Sequence, residues 1–377
     1  MIMKTAKTII AGLICVLILT CGALQAQQGT DEQEQAVPVD DSNPLFVIIK
    51  DGKTGFIDQT GKIVIEPQFT VSLPPLEELM GFSEGLAPVN IDDKWGYIDK
   101  QGNIRINMQF NDARPFYEGL AAVKIGGMQT GKWGYIDKTG EIVINPQFGF
   151  VERFSEGLAA VTIGDWATGE RGYIDKTGAV AITPQFADAW DFSDGLAMVS
   201  VGDWMTSDYG YIDHKGNFAV NPQFKKSWPF SESLALVFIG EPEKGKWGYI
   251  DKAGKIVIEP QYDDAAPFSE GLAPVSINEK WGFIDKTGNT IIDLQYASAS
   301  QFYDGLAVVM PFPEGETWEL SSGYIDKTGK LVIDIQPYFG EPFSHGLAMV
   351  MTMKGFELDT WGYIDKTGKY VWGPIGQ

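Results

Sequence analysis

The sequence predicts an all-β fold: a tandem array of nine three-stranded antiparallel β-meander units, open and solenoid-like rather than closed into a propeller-like ring. Three observations predict it. A Gly-aromatic-Ile-Asp core comes round nine times, with its Asp at Asp58, Asp99, Asp137, Asp175, Asp213, Asp251, Asp285, Asp326 and Asp365. The phrase "FSEGLA", or a close variant, comes round eight times, its last residue being Ala87, Ala121, Ala159, Ala197, Ala235, Ala273, Ala307 and Ala348. Each core stands between apolar β-forming runs, as in "YIDKTGEIVI" (Tyr135 to Ile144). Self-similarity at a period of 34 to 41 residues is the mark of a repeat architecture.

The first element of each unit is a hairpin. Asp at the first turn position offers its carboxylate to backbone amides two and three residues on. Gly at the fourth supplies a positive φ, which closes a type I turn with a G1 bulge. All nine copies carry that glycine, from Gly61 to Gly368. The "LAxVxI" run after each "FSEG" is the third strand of the meander, and the stretch before it, such as "DDAAPFSEG", reads as a linker with a bend. From core Asp to the next repeated Ala is 22 residues in seven cases of eight, whereas the return to the next Asp ranges from 12 to 19. A half held to length implies packing, and a variable half implies exposed loops.

Both faces of the strands read as apolar: Ile142, Ile144 and Phe148 on one side and Val143 on the other, with Leu158 and Ala160 opposing Ala159, Val161 and Ile163. A lone meander buries too little to offset the ordering of its chain. Units must therefore stack. The open arrangement is expected because propeller blades have four strands, number four to eight, and often share one blade between the termini. Here the count is three strands, nine units and no divided unit.

A Trp-Gly pair precedes the core at Trp95-Gly96, Trp133-Gly134, Trp247-Gly248, Trp281-Gly282 and Trp361-Gly362, while Thr54, Arg171, Tyr209 and Ser322 replace the Trp elsewhere. In these features the chain from Leu45 onward resembles the WG-repeat family of bacterial proteins. The resemblance implies a β-rich repeat scaffold. It implies no enzymatic activity and no particular ligand.

Outside the array, Lys4 and Lys7 precede the apolar run Ile9 to Leu19, and small residues follow. Residues 1–26 are expected to be a secretory signal peptide, cleaved after Ala23 or Ala26. Lipidation at Cys21 is the alternative. Residues 27–44, "QQGTDEQEQAVPVDDSNP", read as a flexible acidic linker, and residues 45–377 as the array. Both cysteines, Cys15 and Cys21, lie in the leader, so the mature chain is expected to lack disulfides, thiolate catalysis and Cys-ligated metals. The expected location is the periplasm, the cell surface or the medium. A formal charge of −21 makes nucleic acid and anionic membranes poor partners.

No catalytic constellation stands out, and an enzyme, a cofactor or a metal is not expected. His214 sits in a hairpin turn and His345 replaces the acid of "FSEGLA"; both read as surface variants of the repeat. Glu84, Glu118, Glu156, Asp194, Glu232, Glu270 and Asp304 recur once per unit. A glycosidase needs one differentiated pair of carboxylates, so equivalent acids read as capping or turn residues. Departures from the rhythm are more informative. Asp165, Trp166, Asp203, Trp204, Met205 and Trp318 lie in the variable loops, on one edge of a stacked array. A row of Trp and Met beside acids suits a peptide, a cationic group or a sugar face. Alternatively Trp166 and Trp204 fold back to fill the space left where Arg171 and Tyr209 replace Trp. The expected function is a non-catalytic exported scaffold binding a protein or peptide through these loops, with a glycan or cell-wall ligand as the alternative.

Overall fold

A computed structural model describes residues 43–70, 81–127, 130–164, 169–202, 207–241, 243–312, 321–354 and 357–376. The expected leader and nearly all of the acidic linker lie outside them. All the regular structure described is β. By Cα proximity the chain divides into two compact units, one ending at Pro229 and the other beginning at Phe230.

The expectation of an open array of nine three-stranded units does not hold. Among the described residues the strands form eight antiparallel sheets, one of six strands and seven of four. Four strands per sheet and eight sheets is the count of a β-propeller rather than of a nine-unit solenoid. The extra strand comes from the stretch read as a bend. Asp112–Tyr117, Phe150–Val151, Asp188–Ser193, Asp264–Ala265, Ser298–Ala299 and Phe339–Gly340 each pair with the strand that follows "FSEG". Backbone satisfaction requires this, because a packed linker must place its amides somewhere. The Glu152 amide, for example, donates to the Ala160 carbonyl at 2.8 Å. The sheet number falls to eight because the first meander, from Phe46–Lys50 to Ile63–Thr70, has no "FSEG" linker before it. Its last strand instead meets the next meander through Thr70 and Asn90, giving the six-stranded sheet.

The hairpin forms as expected, with one difference. Asp137 Oδ1 accepts from the amides of Thr139 (2.9 Å) and Glu141 (3.1 Å), two and four residues on. The amide three residues on, at Gly140, is taken by the Asp137 carbonyl (3.0 Å), and Gly140 has φ 87°. Hydrogen bonds from the turn hydroxyl and amides hold the carboxyls of Asp58, Asp137, Asp175 and Asp326 low; for Asp285 the Thr287 hydroxyl leads, and the value falls to about 2. The stabilisation is therefore complete above the ordinary carboxylate range and is lost as pH falls toward that value.

Stacking is also as expected. One core joins Leu120, Tyr135, Ile144 and Phe148 of one sheet to Val151, Phe154, Ala159 and Val161 of the next. Central strands are buried on both faces, Leu158–Thr162 throughout. The outer strand is not. Ile144 is 2% exposed, but Ile142 is 41% exposed and Val143 43%. A register shift between Ile142 and Ile144 is the reason: a bulge there turns Ile142 away from the core.

The repeated glycine after Trp is fixed by close approach. A Cβ on Gly134 would stand 2.4 Å from the Ile144 carbonyl oxygen and 2.7 Å from the Pro146 nitrogen, both backbone. Gly134→Ala is expected to cost about 1–3 kcal/mol or more, read as a lower Tm. A Tm equal to that of the unchanged protein would contradict the account.

Candidate functional site

The recurring acids come first, because most candidate chemistry would rest on them. In "FSEG" the acid has a left-handed backbone (Glu156, φ 51°) followed by Gly157 at φ 83°. Positive φ at both central residues is a type I′ turn, closed by mutual hydrogen bonds between Ser155 and Leu158. The side chain reaches into the next sheet. Glu118 accepts from the Gly157 amide at 3.1 Å and pairs with Lys176 Nζ at 3.0 Å. The same clamp recurs from Glu84 to Gly119 and Lys138, from Glu232 to Gly271 and Lys286, and from Glu270 to Gly305 and Lys327. These acids are turn residues, as expected, and in addition ties between neighbouring sheets.

His214 is therefore more than a surface variant. It stands where other units place the clamp lysine: its Nε2 lies 3.0 Å from Glu156 Oε2, and its ring stacks on Phe192 at 4.2 Å. His345 occupies the acid position itself, φ 50°, with Nδ1 2.9 Å from Ser344 Oγ.

The predicted binding edge, Asp165, Trp166, Asp203, Trp204, Met205 and Trp318, lies wholly outside the described residues. What can be described is the surroundings of the two replaced tryptophans. The Arg171 guanidinium lies 5.1 Å from the Phe150 ring centre and pairs with Asp188, and Tyr209 packs against Trp190 at 5.7 Å.

A second set of departures, not singled out from sequence, is brought together in the unit ending at Pro229. Short first strands of three successive sheets, and the residues that follow them, carry Arg114, Tyr117, Glu152, Arg153 and Asp191. Arg153 Nε donates to Asp191 Oδ2 at 2.9 Å. Arg114 Nη1 donates to the Val151 carbonyl at 2.6 Å and stands 3.6 Å from Glu152 Oε2. Aromatic faces hold both guanidiniums: Arg114 lies 4.9 Å from the ring centres of Trp133 and Phe150, and Arg153 lies 4.6 Å from that of Tyr117. Asp191 is 6% exposed, and its Oδ1 has no hydrogen-bond partner. Burial raises the Asp191 carboxyl, opposed by Arg153. Burial, followed by the Asp191 charge, pushes Glu152 up to about 7.

The signal was available in sequence. Aligned on "F-S-E-G", the residue before Phe is Pro115, Pro229, Pro267 and Pro342 in four units and Gly81, Arg153, Asp191 and Gln301 in the other four. Among the described residues no group of three or more His, Cys, Asp or Glu is placed to hold a metal ion, and no helix is long and apolar enough to cross a membrane.

Glu152 carries a pH dependence. Its folded carboxyl lies above its unfolded value, so its contribution is full below the ordinary Glu range and is lost as pH rises through about 7. Glu152→Gln is expected to raise Tm above the unchanged protein at pH about 8 and to match it near pH about 4. A Tm gap independent of pH would contradict this.

The comparisons with known proteins agree with the repeat. The family model described as "WG containing repeat" matches residues 55–95, 95–128, 133–165, 172–203, 209–241, 247–281, 281–310 and 323–352. No curated protein matches the chain. Among solved structures, the chain is similar to the β-propeller domain of the Trilobed protease from Pyrococcus furiosus, at 12% identity and TM-score 0.39, covering 71% of this chain and 99% of that one. It is similar to a protein of unknown function from Bacteroides caccae, at 19% identity and TM-score 0.28, covering 57% and 92%. It is also similar to Hsv2 of Kluyvelomyces marxianus, at 9% identity and TM-score 0.38, covering 67% and 94%.

Proposed function

The chain belongs to the WG containing repeat family, and from that premise we propose that it is a non-catalytic exported scaffold that binds an envelope glycan. One observation carries the reading. The recurring carboxylates are engaged in turns and in ties between sheets, while Asp191, a departure from the rhythm, keeps a buried oxygen without a donor. Recognition then falls to the departures, whose types (Trp, Asp, Arg, Tyr) are those that grip sugar rings and hydroxyls. The leader-like first residues support export, and the resemblance carries no catalytic motif.

A protein partner is the second reading. It is favoured by the exposed apolar residues of the outer strands, among them Ile104 and Val180, each 52% exposed, and Phe218, 41% exposed.

The two readings part on capture. The mature chain is expected to be retained by one class of envelope polysaccharide, and Trp166→Ala with Trp204→Ala to weaken retention without lowering Tm. A lower Tm would make these tryptophans filler. Stoichiometric capture of one protein from the envelope fraction, with no polysaccharide retained, would overturn the glycan reading.

A further inference from the structure

We propose that the outer strands of four successive sheets in the unit ending at Pro229 form a self-association surface, on which a second copy of this chain docks face to face. The inference does not depend on the glycan reading, and it gives the exposed apolar residues of these strands one occupant.

The strands are Ile104–Phe110, Ile142–Phe148, Val180–Phe186 and Phe218–Phe224, each the last of its sheet. The register shift that turns Ile142 outward recurs in all four. Ile104 and Val180 are 52% exposed in consequence, and Ile142, Val143 and Phe218 are 41% to 43% exposed. The row continues across a seam where the Phe218 ring meets Phe186 of the preceding sheet at 6.3 Å. Packed sheets stand about 10 Å apart and a strand of this length runs about 20 Å, so the four present on the order of 600 Å². A standard interface takes roughly 800 Å² from each partner.

Charge selects the partner. The chain carries a formal −21, yet the exposed positions of these four strands hold a single charged residue, Arg105. The fourth residue of each strand is Asn107, Asn145, Thr183 or Asn221, all exposed, where other outer strands place Glu66, Glu259, Asp293 and Asp334. A cationic partner is drawn to those carboxylates and finds no attraction where they are missing. An acidic partner is repelled by them and tolerated on the neutral strands. The partner that fits is therefore itself acidic, as a second copy is. The one charge on the surface also suits it: the Arg105 side chain is 61% exposed and lies 3.9 Å from Asp99 Oδ2. A neutral apolar surface can meet its own likeness about a twofold axis, which closes the assembly at two.

The backbone decides how contact is made. Pro146, Pro184 and Pro222 remove a donor from three of these edge strands. The Gln185 and Gln223 side-chain amides donate to the Thr183 and Asn221 carbonyls at 3.3 and 3.2 Å. Edges blunted in this way resist the addition of a further strand. Contact then runs through side chains, surface against surface, which a folded copy offers and an extended peptide does not.

The test is sedimentation velocity with the mature chain from about 1 to about 100 μM, at low and at high salt. A monomer–dimer equilibrium is expected, tighter at high salt because screening weakens the repulsion between two acidic copies. Asn145→Glu combined with Asn221→Glu introduces the residue that Glu66 and Glu259 already place at this position, so the strand accepts it. The double variant is expected to weaken the dimer at least about tenfold at unchanged Tm. Arg105→Glu, at an exposed side chain, is expected to weaken it in the same sense, and it decides the matter if the double variant fails to fold. Glu259→Asn, in the other unit, is expected not to weaken it. A monomer at every concentration and salt, an assembly larger than a dimer, a dimer indifferent to these changes on the four strands, or one weakened equally by Glu259→Asn would overturn the proposal.

Discussion

The structure depends on how each sheet is tied to the next. In the repeat around Tyr135, the ring meets Phe154 of the following sheet edge-on at 4.8 Å, and its hydroxyl donates to the Glu152 carbonyl at 2.6 Å. The ring contact recurs at Tyr97–Phe116 and Tyr173–Phe192 in the unit ending at Pro229, and at Tyr249–Phe268 and Tyr324–Phe343 in the other. One side chain thus closes the apolar core and satisfies a carbonyl just beyond the short linker strand. A sheet of this size has too little core of its own, so the array is stable only as far as these ties reach.

The rest of "FSEG" extends the same function. Phe supplies the partner ring, Ser155 Oγ donates to the Phe192 carbonyl at 2.7 Å, and the Glu carboxylate takes the next glycine amide and the next lysine. This accounts for an acid at a left-handed position where glycine or asparagine would be less strained: the carboxylate reaches a backbone donor 39 residues away. A group used in this way has little capacity left for a ligand.

Much of this was legible in the sequence, and what was missed has physical causes. The Asp-x-x-Gly turns, the central strands and the need for stacking follow from local chemistry and period. The fourth strand was not legible, because runs as short as Phe150–Val151 or Asp264–Ala265 have no periodicity to detect and are set by a partner strand. The outward turn of Ile142 depends on a bulge that apolar alternation does not encode. The clamp by Glu118 was hidden because its partners lie in another repeat. The charged cluster is hidden for a different reason: the column holding Pro115, Arg153 and Asp191 lies in short linker segments whose partners belong to other repeats.

The central claim is a division of labour between residues that recur and residues that do not. The most direct measurement is a pooled substitution scan of the mature chain, scored separately for folded yield and for capture by its ligand. The account requires substitutions at Tyr135, Asp137, Gly140, Glu118 and their counterparts to act through folded yield, and substitutions at the loop positions Trp166 and Trp204 to lower capture at unchanged yield. A recurring residue whose replacement removes capture while yield is intact would contradict it.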